Sequence, residues 1–432
     1  MATEHTCTVT LGSGVEVDVF DRYTVTLDMM RAGNPWTVSM WHSTTRRATW
    51  DVLRREVKLG APLTLAIDGA AQVTGRIETL ETHVERGGAT LVVSGRDLGG
   101  VAMSWDADPT VRLRGLPLSD ALTALFLPLG LPLVVTDAAA ARIVQSGTNR
   151  TNLGPQHHGH RRAAAPVGPV RGSRPAGRPH SPTRGVSRAQ ARHRAQPIDR
   201  SHPRAGEHVW ALADEMCRRL GFLLWVAPFD DGGFGVVVDV PYFAGPDVYQ
   251  LANRTDPAAF HNVLKCAEKL SVKDVPTEVN VYTGTTRGDL ISNRTRSQTF
   301  NVGLERTDVS RGFVVDPMTP QVRHIKSSRS RTISAAAREG ERVVAEAMAG
   351  FRRYECTVQG HGQTVGGVPR LYALNTMAHV RDDLCTAPDG TPLDESMLIT
   401  GVTFNGSRQA GTTTDLVLVP KDSIQVIPQE AA

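Results

Sequence analysis

Two pairs of acidic residues, Glu78 with Glu81 and Asp382 with Asp383, are of the residue type that cleaves a glycosidic bond. Such cleavage uses one carboxyl group as a general acid and a second as a nucleophile or general base. Both pairs lie in segments that are predicted to be exposed strands or loops, where carboxylates are ordinary surface groups. We therefore assign no catalytic residue to either pair, and we keep a peptidoglycan hydrolase as an alternative function.

Tryptophan side chains can stack on sugar rings, and five of them could serve such a site. They are Trp36, Trp41, Trp50, Trp210 and Trp225. Because they belong to separate predicted elements, they are better explained as anchors of the core or of an interface. This spacing favours packing over substrate binding.

Three other segments have residues that occur in cofactor or metal sites. Gly360 to Gly366 follows a predicted strand, but its glycine spacing differs from that of a dinucleotide loop and no helix follows. Asp230 to Gly233 has acidic residues suited to Ca²⁺, yet between two β-like runs it is predicted to be a hairpin turn. The histidines within residues 157–160 lack the supporting residues that hold a metal ligand in place. The prediction is no catalytic residue, no cofactor-binding residue and no metal ligand.

The five cysteines are scattered and have no CxxC spacing, which is typical of free thiols in a reducing cytoplasm. They are Cys7, Cys217, Cys266, Cys356 and Cys385. The first residues, Met1 to Cys7, lack the basic and apolar regions of a signal peptide. The longest apolar run, Ala121 to Val135, is interrupted by two prolines and a glycine and is too short to span a membrane. We expect assembly in the cytoplasm and no integral membrane segment.

A strongly basic segment interrupts the chain. Between Asp137 and Asp199 there are eleven arginines and five histidines, but no lysine and no acidic residue. Subtracting these eleven charges from the net charge of +4 leaves −7 for the rest of the chain. The Pro, Gly, Ala and Ser content and the lack of periodicity predict a disordered insert over residues 146–204. A shifted reading frame in GC-rich DNA would also give this composition.

Arginines on a flexible arm can neutralise phosphates. No aromatic residue is interleaved in this segment to stack on bases, so sequence-specific recognition is not expected. Nucleic-acid binding is the less favoured interpretation, and we keep it as a second alternative function.

One structural unit occurs twice, once on each side of this insert. Gly115 to Val135 and Ala205 to Val226 each contain a short amphipathic helix, a Leu-Gly stop and an apolar strand. In the first copy Ser119 or Asp120 is predicted to cap the helix, and Gly130 is predicted to end the turn. Neither unit places a polar group for chemistry, so the repeat indicates a packing device.

The remaining segments are mostly short alternating strands with tight turns, which predict a small closed or split barrel at the N-terminus. Two further helices are predicted over residues 46–58 and 334–351. Predicted strands cover residues 23–29, 36–41, 63–67, 73–82, 91–94, 236–240, 270–272, 279–283, 354–359, 377–380, 397–404 and 415–419.

The predicted fold class is α+β and mainly β, and the chain is divided into five parts. The parts are an N-terminal β-barrel-like domain (1–105), a helix–strand domain (106–145 with 205–245), the insert (146–204), a β-rich domain (246–332) and a C-terminal helix with a β-domain (333–432).

The order of several motifs resembles one known family. Pro62 to Gly69 and Val73 to Glu78 precede the segment Leu91 to Leu98, which contains Gly-Arg-Asp. The two helix–strand units, an Ala-rich helix and a closing hairpin over 398–418 then follow in turn. This order resembles the baseplate hub proteins of contractile phage tails, the Mu-like and late control D-like family, which is related to the hub part of type VI secretion spikes. The resemblance covers nearly the whole chain except residues 146–204.

The resemblance implies a homotrimer in which two barrel domains per subunit form a pseudo-sixfold ring, with α/β domains connecting them. Such a ring would join the hexameric tail tube to the trimeric central spike, in contact with other baseplate proteins, in the virion tail baseplate or an injection particle. It implies a structural protein rather than an enzyme, with no small-molecule substrate and no cofactor. The insert departs from the family pattern, because it separates two units that should pack together.

Overall fold

The fold is known from a computed structural model, and it is mainly β. The structure describes residues 5–18, 20–43, 55–85, 88–113, 115–140, 203, 205–229, 232–271, 276, 278–283, 298–300, 322–327, 340–345, 347, 350–387, 390–421, 423 and 424.

The N-terminal region has seven strands. They are β1 (Cys7–Leu11), β2 (Glu16–Val17), β3 (Arg22–Asp28), β4 (Pro35–Ser43), β5 (Pro62–Ile67), β6 (Ala70–Glu85) and β7 (Gly88–Asp97). Strands β3 and β5 alternate buried and less buried side chains, as the sequence pattern predicts.

Fourteen further strands follow along the chain. They are β8 (Leu133–Val135), β9 (Leu223–Pro228), β10 (Phe234–Asp239), β11 (Asp247–Asn253), β12 (Val263–Leu270), β13 (Glu278–Thr283), β14 (Gln298–Phe300), β15 (Val322–Ser327), β16 (Arg352–Gln359), β17 (Gly362–Val365), β18 (Val368–Leu371), β19 (Thr376–Thr386), β20 (Pro392–Ser407) and β21 (Gly411–Pro420).

The helices lie mostly between the two strand-rich regions. They are α1 (Leu98–Ser104), α2 (Leu118–Phe126), a 3₁₀ turn (Leu127–Leu129), α3 (Asp137–Ala140) and α4 (Val209–Leu220). Of the two further predicted helices, residues 55 and 56 and residues 340–345 and 347 are helical, and most of the remaining positions lie outside the described residues.

The largest sheet has thirteen strands and contains both the first and the last of the described strands, β1 and β21. Seven of them, β1 to β7, form an N-terminal module, and six, β11, β12, β16, β19, β20 and β21, form a C-terminal module. The two modules meet on the long strand β20. Its residues 401–407 pair with β3, whereas residues 392–399 pair with β19. A single strand therefore belongs to both modules.

The two helix–strand units share one three-stranded sheet in the order β8-β10-β9. Helix α2 lies against α4, where the rings of Phe126 and Trp210 meet edge to face with centroids 6.2 Å apart. Gly130 and Gly221 end their helical segments in the left-handed conformation, at φ 68° and 88°, which a glycine adopts without strain. The repeated unit thus serves packing, because its two copies share one sheet and their helices contact each other.

Two local predictions differ in outcome. The predicted cap at Ser119 or Asp120 is wrong, because α2 begins at Leu118, after Pro117, with no side-chain cap. The predicted hairpin turn around Gly232 is confirmed, because β9 and β10 pair antiparallel on either side of it.

Within the described part of the chain the sheets remain open. The thirteen-stranded sheet ends at β12 on one side and at β2 on the other. A separate sheet in the order β14-β13-β15 and the hairpin of β17 and β18 are open as well. The mainly β class is confirmed, whereas closure into two barrels is not seen.

Candidate functional site

The first predicted carboxylate pair does not form a catalytic arrangement. Glu78 accepts hydrogen bonds from the guanidinium of Arg96 at 2.9 to 3.1 Å. Glu81 is exposed and lies 3.4 Å from the imidazole of His83. A carboxylate that is exposed on a strand or held in an ion pair lacks the enclosed, apolar site that an acid catalyst needs.

The second pair is divided between the interior and the surface. Asp382 is buried, and its carboxylate accepts the hydroxyl of Tyr354 at 2.7 Å, the thiol of Cys266 at 3.1 Å and the backbone N–H groups of Leu384 and Cys385 at 2.8 and 2.9 Å. Burial acts to raise the pKa of Asp382, but these hydrogen bonds outweigh it and lower the pKa to about 2. Asp382 is therefore a fixed anion and not a proton donor.

The next residue, Asp383, contacts the segment after β11 instead of the interior. It accepts from the backbone and hydroxyl of Thr255 at 2.8 and 3.1 Å and pairs with Arg254 at 3.1 Å. The backbone hydrogen bond from Thr255 contributes most to lowering the pKa of this carboxyl group. Asp382 thus ties β19 to β12 and β16, whereas Asp383 holds the segment that follows β11.

Three of the five tryptophans that could have formed a sugar site are core residues. Trp36, Trp210 and Trp225 are 1%, 7% and 2% exposed. Trp36 lies within the N-terminal module, and Trp210 and Trp225 lie in the second helix–strand unit. The interpretation as packing anchors is confirmed for these three, while Trp50 and the side chain of Trp41 lie outside the described residues.

The glycine-rich segment after β16 carries a buried histidine instead of a nucleotide loop. His361 is fully buried, and the segment continues as strand β17. Its Nε2 lies 2.7 Å from the hydroxyl of Tyr23, and its Nδ1 lies 3.0 Å from the hydroxyl of Thr414. The backbone N–H of His361 donates to Nε2 of His5 at 2.9 Å. His361 therefore joins the start of the chain to its last strands.

These contacts define the protonation of the network. The hydroxyl of Thr414 donates to the carbonyl of Gly360 at 2.7 Å, so it accepts from Nδ1–H of His361. Nε2 of His361 then accepts the hydroxyl proton of Tyr23. Burial, followed by the neighbouring His5, lowers the pKa of His361 to about 4. His361 is neutral at physiological pH and holds the two modules together without charge.

The Gly-Arg-Asp segment is likewise structural. Gly95 lies so close to its neighbours that a Cβ there would be 2.1 Å from the carbonyl oxygen of Arg76 and 2.9 Å from the ring of Trp36. Asp97 caps α1 by accepting the N–H of Gly100 at 3.1 Å, and it accepts the amide of Asn34 at 2.8 Å. The motif thus ends β7 and starts α1.

The structure also brings together residues that are distant in the sequence. Cys266 of β12 meets Asp382 and Cys385 of β19, and one ligand atom from each lies within 4.8 Å of the other two. The dispersed cysteine spacing predicts no such cluster, because the register of the sheet and the bulge in β19 bring these residues together. Only the pairing of strands could have revealed it.

Residues 8–97 match the family model for the N-terminal domain of the GpP-like Mu phage baseplate assembly protein. The chain is also similar to the tail protein from Neisseria meningitidis MC58, with 19% identity and a TM-score of 0.66 over 99% of both chains. The predicted resemblance to phage baseplate hub proteins is confirmed. The fold shared with this tail protein extends over 99% of the chain, and a second tail protein shares it to the same extent.

That protein is the 43 kDa tail protein of prophage MuSo2 from Shewanella oneidensis, with 16% identity and a TM-score of 0.65 over 99% of both chains. A chain of the Francisella PdpA–VgrG complex gives 9% identity and a TM-score of 0.52 over 98% of this chain and 59% of its own length. A search of curated proteins gave no match.

The C-terminal module exposes several large apolar side chains. They are Phe260, Leu264 and Leu270 on and before β12, and Leu384 near the end of β19, which are 53% to 71% exposed. Strand β12 is an edge strand, because β16 is its one partner among the described strands. Exposed apolar groups on an unpaired edge are typical of a surface that is covered in an assembly.

Two further predictions have limited outcomes. Among the helices that the structure describes, none has the length and apolar character that a membrane crossing requires. The histidines of residues 157–160, Asp230 and Asp231, and nearly all of the basic insert lie outside the described residues.

Proposed function

We propose that this protein is the trimeric hub of a phage-like tail baseplate and that it joins the tail tube to the central spike. The observation that carries the proposal is the match of residues 8–97 to a baseplate family, together with a fold shared over 99% of two tail proteins, one of them from a prophage. The shared fold alone does not define the oligomer or its partners, so both need a direct test.

The division of the large sheet supports a trimer. Each subunit has two β modules of similar size, with seven and six strands, joined on β20. We infer that each module curls into a barrel in the assembled protein, so that three subunits supply six similar modules. Such a ring has the symmetry needed to pass from a sixfold tube to a threefold spike.

Scaffolding requires no reactive group, and the polar groups of the described part serve structure. Asp382 and His361 are held in closed hydrogen-bond networks, and Glu78 is paired with Arg96. We infer a non-catalytic virion component that acts on no small-molecule substrate. We also infer assembly in the bacterial cytoplasm and contacts with other baseplate proteins.

The oligomer is tested by native mass spectrometry and by light scattering on the purified full-length chain. We expect a mass near three times 46.7 kDa, at least after mixing with a tail spike protein. Negative-stain images should show a ring with six similar densities. A chain that stays monomeric and binds neither tube nor spike protein would contradict the proposal.

The exposed edge can be tested with one substitution and one matched control. Leu264→Lys places a charge on the apolar surface of β12 and should weaken the trimer if this edge is part of the interface. Val84→Lys, at a position that is 78% exposed on the N-terminal hairpin, should leave it unchanged. Equal oligomer masses for both variants would exclude β12 from the interface.

A further inference from the structure

We propose that Cys266, Asp382 and Cys385 form a binding site for a transition-metal cation of the zinc type. The site lies where the edge strand β12 meets the bent end of β19, beside Leu384, one of the exposed apolar residues that we assign to assembly. It supplies two sulfur ligands and one carboxylate oxygen.

The distances suit a single cation. One ligand atom from each residue lies within 4.8 Å of the other two, and Sγ of Cys266 is 3.1 Å from Oδ2 of Asp382. In a tetrahedral zinc site, metal–sulfur bonds of about 2.3 Å and metal–oxygen bonds of about 2.0 Å place the ligand atoms about 3.5 Å apart. Small rotations of the two cysteine side chains are enough to reach this geometry. Both cysteines are half-buried, so a cation can enter from solvent and keep a water as a fourth ligand.

The carboxylate is already held in the orientation that a ligand needs. Tyr354 donates to Oδ2 at 2.7 Å, and the backbone N–H groups of Leu384 and Cys385 donate to Oδ1 at 2.8 and 2.9 Å. The amide of Asn253 contacts both carboxylate oxygens at 3.2 Å. Such partners around a ligand fix its direction and strengthen metal binding.

Thiolates and a carboxylate together favour zinc over calcium or magnesium, which prefer oxygen ligands alone. Binding breaks the S–H bonds of Cys266 and Cys385, and the two protons pass to solvent while the sulfur atoms keep their electron pairs. Because each sulfur atom binds the metal as a thiolate, the affinity should rise with pH.

A cation at this position would link strands β12 and β19 of the C-terminal module. Strands β11 and β12 follow each other in the chain, but β11 pairs with β19 and β12 pairs with β16. The contact between Cys266 and Asp382 joins β12 directly to β19, close to Asn253, the last residue of β11. A metal bond there would fasten β12, the strand that carries Leu264 and Leu270.

The test uses the reduced full-length chain, freed of metal with a chelator and titrated with Co²⁺ as a coloured substitute for Zn²⁺. We expect one equivalent to bind, with sulfur-to-cobalt absorption in the near ultraviolet and the release of two protons. Addition of Zn²⁺ should displace Co²⁺ and raise the melting temperature by several degrees.

Cys385→Ala and Cys266→Ala should each lower the affinity at least tenfold and reduce the absorption. The matched control is Cys217→Ala, which removes a buried cysteine from α4 and should leave the titration unchanged. Circular dichroism checks that each variant is folded. Absence of cobalt–sulfur absorption in the reduced wild type would overturn the proposal, as would equal binding by all three variants. A Cys266–Cys385 disulfide in the purified protein, with no metal binding after reduction, would overturn it too.

Discussion

At the residue scale, the buried neutral His361 makes the stability of the fold depend on pH. In the unfolded chain a histidine binds a proton near pH 6.5, whereas burial lowers the pKa of His361 to about 4. The unfolded state therefore binds more protons between these values, and stability is lost as pH falls from about 6.5 to 4. The expected loss from this residue is up to about 3 kcal/mol, because each pKa unit corresponds to about 1.4 kcal/mol.

The measurement is urea unfolding of the wild type and of His361→Gln between pH 4 and 8. The variant starts less stable, because it loses part of the network with Tyr23 and Thr414, but its stability should fall less steeply with acid. Asp97 acts in the opposite direction, since burial raises its pKa to about 6 and favours the folded state as pH falls towards 4. Both proteins contain Asp97, so the difference between their slopes isolates His361. Equal slopes would contradict the prediction.

Gly95 gives a second prediction at this scale. Gly95→Ala would put a Cβ 2.1 Å from the carbonyl oxygen of Arg76, a backbone atom in the centre of the sheet, and 2.9 Å from Trp36. The Arg76 carbonyl cannot move without disturbing the pairing of β6 and β7, and Trp36 is fixed in the core, so we expect a loss of about 3 kcal/mol or more.

Gly350→Ala is the matched control, because the nearest atom to a Cβ there is 3.6 Å away. Chemical denaturation of the two variants should place the control within about 0.5 kcal/mol of the wild type. Similar stabilities for the two variants would contradict the prediction, because they would mean that the sheet accommodates a Cβ at Gly95.

At the element scale, the contact between the two helix–strand units is the feature with the clearest energetic consequence. Trp210 is 7% exposed and meets Phe126 across α2 and α4. Trp210→Ala should cost about 3 to 5 kcal/mol, the range for removing a large buried aromatic side chain. Trp105→Ala is the comparison, since this residue is 51% exposed and should cost less than about 1 kcal/mol.

Thermal unfolding of both variants provides the measurement. If Trp210→Ala melts at the wild-type temperature, the helix–strand unit does not contribute to the cooperative fold, contrary to the packing described above.

Local elements could be predicted from the sequence because their signals are local. The period of Leu118, Leu122 and Leu125 defines α2, and Gly130 and Gly221 are the stops that a left-handed turn requires. The sequence pattern does not predict strands β1, β2, β11, β14, β15, β17 and β18, and of β12 it predicts only Leu270. Strand β12 carries charged and apolar side chains without clean alternation, and its residues are mostly half-buried or exposed. A strand of this kind is defined by its neighbour β16 and not by its own pattern.

Long-range pairing could not be predicted for the same reason. The cluster of Cys266, Asp382 and Cys385 depends on where β12 and β19 end relative to each other, and no spacing in the chain encodes that. His361 was noted only as part of a glycine-rich segment, because its partners Tyr23 and His5 lie more than 300 positions away. The family resemblance supplied the order of the elements, but it could not supply the contacts of single side chains.

At the scale of the whole molecule, the junction of β3 with β20 makes the N-terminal module dependent on the end of the chain. Seven residues of β20, 401–407, pair with β3 in antiparallel register. Phe404 is fully buried there, opposite Val25, and lies against the ring of His361. A fragment of residues 1–105 would leave this edge of β3 without a partner and expose its apolar neighbours.

We therefore expect the fragment 1–105 to self-associate or aggregate when it is expressed alone, although it spans the whole family match of residues 8–97. Co-expression with residues 350–432, which contain β16 to β21, should give a soluble one-to-one complex, because β20 again covers β3. Size-exclusion chromatography with light scattering distinguishes these outcomes, and Phe404→Asp in the second fragment serves as the control that should prevent rescue. A monomeric fragment 1–105 that unfolds cooperatively by itself would mean that the N-terminal module is an independent domain, and that its pairing with β20 adds an assembly contact to a fold already complete.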